Sequence, residues 1–167
     1  MKKGYFFTLD AFMAISILVI CVLLIFSVHS SEPQPVQSIY ISDDVMFFLS
    51  STRVYELQNP FVRSLVLAGN ITSDQNSLLE QAVIFAINDK KPQADAFLRN
   101  VTESLVPKKY GLMVRFYNNT EIYSNTLSQG TTAQNMSTLL VNSKRIMFGL
   151  DGEKAWGPLI AEVRLWQ

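Results

Sequence analysis

Residues 1–28 read MKKGYFFTLDAFMAISILVICVLLIFSV. From Tyr5 to Val28 this run is apolar except for Thr8, Asp10, Ser16 and Ser27. At a rise of about 1.5 Å per residue, 24 such positions make a helix of roughly 36 Å, which predicts a crossing of a hydrocarbon layer about 30 Å thick. Lys2 and Lys3 are the only charges before the run, so the positive-inside rule puts the N-terminus in the cytoplasm and the rest of the chain outside. Asp10 is the exception within the stretch. A lone carboxylate in such a helix costs about 2.5–3.5 kcal/mol on insertion scales, so its presence asks for a partner.

A secretory signal would carry an apolar core of about 7–15 residues, shorter than this one, and a plain signal anchor leaves Asp10 without a reason. Lys3-Gly4 followed by Tyr-Phe-Phe-Thr-Leu-Asp-Ala-Phe resembles the class III signal of type IV prepilins, the archaeal ones in particular. The resemblance covers residues 1–28 closely and the remainder only in layout. It implies a cut by a prepilin peptidase between Gly4 and Tyr5. It also implies that the new amine of Tyr5 pairs with a carboxylate, here Asp10, of a neighbouring subunit. Cutting after Gly4 makes Asp10 the sixth mature residue, whereas the family's acid is usually the fifth.

The chain beyond the run has one domain's worth of residues. Removing Lys2, Lys3 and Asp10 from the totals of 14 basic and 14 acidic residues leaves 12 and 13, a near balance. That balance provides no basic footprint for nucleic acid. The single cysteine, Cys21, lies in the apolar run, so packing without disulfides must hold the domain. Ser30 to Pro35 is a polar break with two prolines, Pro33 and Pro35, that ends the first helix. Helical spacing follows from about Ser38 to Gln58, closed by Asn59-Pro60, with a short helical stretch from Phe61 to Ala68 capped by Gly69-Asn70. Thr72, Ser73 or Asp74 then caps a helix carrying Leu78, Leu79, Val83, Phe85, Ala86 and Ile87. Lys91-Pro92 starts another, with the stripe Ala94, Phe97, Leu98, Val101 and Leu105.

From Tyr110 the period changes to two. Leu112, Val114 and Phe116 alternate with Met113 and Arg115, Asn118-Asn119 turns the chain, and Glu121 to Tyr123 returns. The polar stretch from Ser124 to Ser137 reads as a loop. Ile146, Phe148 and Leu150 alternate before a turn at Asp151-Gly152, and Leu159, Ala161, Val163 and Leu165 form a last strand with Glu162 and Arg164 on its other face. The expected fold is therefore α+β: an N-terminal transmembrane helix, then a head of short helices followed by an antiparallel sheet of about four strands. The expected organisation is a leader over residues 1–4, a transmembrane and assembly helix over 5–29, a proline-containing linker over 30–37, and an extracytoplasmic head over 38–167.

Nothing in the chain suggests catalysis. His29 is the only histidine and lies at the end of the apolar run, so no head nucleophile has an imidazole base. The adjacent Asp43-Asp44 point in different directions on a helix, and no metal-ligand spacing or glycine-rich phosphate loop occurs. No cofactor and no metal are expected. Four sequons begin at Asn70, Asn100, Asn118 and Asn135. Asn70, Asn118 and Asn135 are the candidates for glycans, since Asn100 falls within a helical stripe. The functional expectation is a membrane-anchored, type IV pilin-like subunit (a minor pilin among them) of a cell-surface filament or its assembly complex. Its expected partners are membrane lipid, a prepilin peptidase and like subunits. The alternative is a single-pass surface binding or adhesion protein with the helix as a simple tether. Asp10 favours the first and the Pro33/Pro35 break the second.

Overall fold

The computed structural model describes the backbone of residues 3–29, 35–130, 134, 137 and 140–167, with side chains from residues 10–26 and from residue 40 onward within those ranges. The chain divides into two compact units, residues 1–34 and residues 35–167. The first contains one helix, α1 (Lys3–His29). Among the described residues no helix is long and apolar enough to cross a membrane. The expected transmembrane helix is corrected on that finding.

Among its described residues the second unit has four α-helices, α2 (Pro35–Ser51), α3 (Pro60–Leu67), α4 (Leu78–Ile87) and α5 (Lys91–Thr102), with a 3-10 turn at Val54–Glu56. Four strands follow: β1 (Gly111–Asn118), β2 (Thr120–Gln129), β3 (Leu140–Asp151) and β4 (Lys154–Trp166). Local chemistry explains the boundaries. The Asn59 side chain accepts from the amides of Phe61 and Val62, so Asn59-Pro60 opens α3 rather than closing the preceding helix, which ends at Ser51. Ser77, rather than residues 72–74, caps α4: its hydroxyl accepts from Glu80 N while the Glu80 carboxylate accepts from Ser77 N at 2.7 Å. Pro92 sits in the first turn of α5, where its missing N–H costs nothing. Asn119 takes φ +58° between β1 and β2, a conformation asparagine tolerates.

All strand pairs are antiparallel, in the order β2-β1-β4-β3, so β2 and β3 are the edges. The polar segment from Ser124 that suggested a loop continues β2 through Gln129, because pairing with β1 satisfies its backbone. The helices cover one face of the sheet. Leu112, Val114 and Phe116 of β1 and Leu159, Ala161, Val163 and Leu165 of β4 are buried in one cluster with Leu49, Leu78, Leu79, Phe85, Phe97 and Leu98 of the helices. Phe85 and Phe97 meet edge to face at 5.8 Å, and Phe116 stacks on Tyr123 at 5.5 Å. Each fully buried phenylalanine contributes about 1.5–3 kcal/mol of transfer free energy, which is how a domain without disulfides holds together.

Candidate functional site

Helix α1 carries the residues singled out in the sequence. Gly4 and Tyr5 lie within it, and Asp10 is exposed on it. Beyond Asp10, over the described side chains to residue 26, the surface is apolar apart from Ser16. Phe12, Ile17, Leu18, Val19, Ile20, Leu23, Leu24, Ile25 and Phe26 are all exposed, Phe12 by 70%. Consecutive positions are 100° apart on a helix, so a run such as Ile17 to Ile20 leaves no polar face to turn toward water. Such a surface requires a cover that unit 1 does not itself supply.

The face of the sheet opposite the helices carries the domain's main charge cluster. Glu162 on β4 lies opposite Arg115 of β1 and Lys144 of β3. It is only 1% exposed, and its carboxylate is reached by Arg164 Nε at 3.2 Å, Asn142 Nδ2 at 3.1 Å and Lys144 Nζ at 3.5 Å. Burial by itself would raise its pKa. The hydrogen bonds from Arg164 and Asn142, with the charges of Arg164 and Lys144, outweigh that and hold it below the usual carboxylate value. Arg115 pairs in turn with Glu121 at 2.8 Å and lies over the Tyr117 ring. The cluster sets three cations against two carboxylates, and both carboxylates are paired within it, as in a structural network.

At the β2 edge, Tyr123 is buried with an unpartnered hydroxyl, beside a cleft of about 360 Å³ that Lys91, Asp95, Glu121 and Asn125 also line. Burial, then the nearby Asp95 carboxylate, pushes the phenol above its ordinary pKa. Asp95 is occupied by Arg99 and by the amide of Asn125, so it is no free base. Two larger grooves are more apolar. One of about 640 Å³ runs between the 3-10 turn and α3, and one of about 720 Å³ lies beside Phe148, Leu150, Trp156 and Pro158. Among the described residues no group of acidic, histidine or cysteine side chains is placed to hold a metal ion.

The sequons differ in accessibility. Asn118 is exposed at the tip of the β1–β2 hairpin, and Asn70 is half-buried where the chain leaves α3. Asn100 donates its amide to Ala96 O at 2.9 Å, and its sequon threonine, Thr102, is buried and bonded to Leu98 O. Asn135 lies outside the described residues. The structure thus does not gather Gly4, Tyr5, Asp10, Asn70 and Asn118 into one site: the first three belong to α1 and the others to separate turns. What sequence reading missed is the enclosure of Glu162. Its one signal was the Glu162/Arg164 pair on the polar face of an otherwise apolar strand. Compared with known proteins, the chain matches no family model, no curated protein and no solved structure.

Proposed function

We propose that the chain is a pilin-like subunit of a surface filament or of its assembly complex, processed after Gly4 and assembled through α1. The observation that carries this reading is the all-round apolar surface of α1, interrupted by Asp10. Packing that surface against like helices in a bundle removes it from water on every side. In such a bundle the carboxylate needs a cation, and the amine that processing creates on Tyr5 of a neighbouring subunit supplies one. The pairing is strong because the surrounding side chains exclude water. The head of residues 35–167 then lies on the filament surface, outside the cytoplasm, where Asn70 and Asn118 are open to glycosylation.

Two measurements test this. Mass spectrometry of the native protein should find Tyr5 as the N-terminal residue, and an intact Met1 or Lys2 would refute processing. Asp10→Ala should leave processing intact and reduce incorporation into the assembly, with Asp10→Glu retaining more than Asp10→Ala. Unchanged assembly in Asp10→Ala would favour the reading in which α1 only tethers a binding head.

A further inference from the structure

The two edges of the sheet are finished differently. On β2 the carbonyls of Thr126 and Leu127 accept from the Arg99 guanidinium of α5 at 2.9 and 2.6 Å, and Asn125 binds Asp95 of the same helix. That edge is covered and polar, as sheet edges usually are when pairing must be prevented. On β3, no backbone hydrogen bond beyond those to β4 is found among the described residues. Its two basic residues, both exposed, are each engaged within the chain, Lys144 with Glu162 and Arg145 with the Ser50 hydroxyl of α2. From residue 146 onward the edge is apolar: Ile146, Phe148 and Leu150 are 67%, 74% and 64% exposed on the helix-free face. Phe47, one helical turn from Ser50 on α2, is 67% exposed.

We infer that β3 is a docking edge for a second copy of this chain, pairing antiparallel with its own equivalent about a two-fold axis at Phe148. The choice of a second copy rests on complementarity within the strand. With Phe148 opposite Phe148 of the second copy, Ile146 faces the second copy's Leu150. Arg145 faces the second copy's Asp151, and the reverse pairs follow by symmetry. Arg145 and Asp151 already bind Ser50 and Asn88, yet a guanidinium has five donors and a carboxylate about four acceptor positions, so each retains capacity for the other. The contact joins heads, needs nothing from α1, and goes beyond the assembly proposed for that helix.

The test uses the full chain in detergent with Cys21→Ser, so that no native thiol remains. Directly opposed residues of an antiparallel pair lie about 4.5–5.5 Å apart, within disulfide range. Phe148→Cys should therefore yield, on mild oxidation, roughly tenfold more disulfide-linked dimer than Ser124→Cys on the covered edge. Adding Ile146→Lys to the Phe148→Cys protein sets a charge against the second copy's Leu150 and should remove most of that dimer. Equal cross-linking at 124 and 148, none at 148, or a dimer indifferent to Ile146→Lys would each overturn the inference. Asp10→Ala should leave the 148 cross-link intact, so failure of the edge contact is distinguishable from failure of assembly through α1.

Discussion

Replacing Gly111 by alanine adds one methyl group at a place that has no room for it. Gly111 begins β1 directly opposite Trp166 of β4. A Cβ on Gly111 would lie 1.9 Å from indole Cε2 and 2.3 Å from both Cζ2 and Nε1. These atoms belong to a rigid bicyclic ring, so no flexible tip can yield and the whole indole must move. Trp166 is 2% exposed, and displacing it reopens the surface it covers. Overpacking of this kind costs about 1–3 kcal/mol, while losing a buried tryptophan outright costs about 3–5 kcal/mol. A loss of about 2–3 kcal/mol is expected, in the upper part of the first range. Urea unfolding of the fragment 35–167, followed by circular dichroism, measures it; the fragment is suitable because all the buried apolar residues described fall within it. The decisive arm is a double-mutant cycle. With Trp166→Ala already in place the obstacle is gone, and Gly111→Ala should be neutral or stabilising by about 0.5–1 kcal/mol through reduced backbone entropy of the unfolded chain. The same loss in both backgrounds would refute the steric argument.

Two further expectations concern stability. Glu162 has a lowered folded-state pKa, so its stabilisation is present above the ordinary carboxylate pKa and is lost as pH falls through the lowered value; Glu162→Gln should flatten that acid limb of the stability–pH profile, and an unchanged limb would show that the loss arises elsewhere. Ser77→Ala removes the hydroxyl half of the α4 capping box and should cost about 0.5–2 kcal/mol by denaturant midpoint, with a loss below a few tenths counting against the cap.

Helices α4 and α5 and the β1–β2 turn were legible because their causes are local. Pro92 in a first turn, a 3.6-residue apolar stripe and an asparagine able to take positive φ act over a few residues. Residues 124–129 misled for the converse reason. Their polarity says loop, but pairing with β1 makes them strand, and Arg99 of α5 reaches the carbonyls of Thr126 and Leu127 from about 27 residues upstream. The apolar run beginning at Tyr5 was plain by composition, whereas the crossing inferred from its length was not sustained among the described residues.

The amino-acid order alone determined that several short helices precede a region of alternating strands, and that one carboxylate stands within the apolar run. Periodicity and side-chain polarity are properties of neighbours in the chain. Tertiary structure decided that β4 sits between β1 and β3, and that ordering encloses Glu162 between Arg115 and Lys144. It also laid Trp166 over Gly111 and, among the described residues, left β3 rather than β2 as the bare edge. Strand order is set by which apolar faces can be buried together under the helices, a free energy shared among residues far apart in sequence.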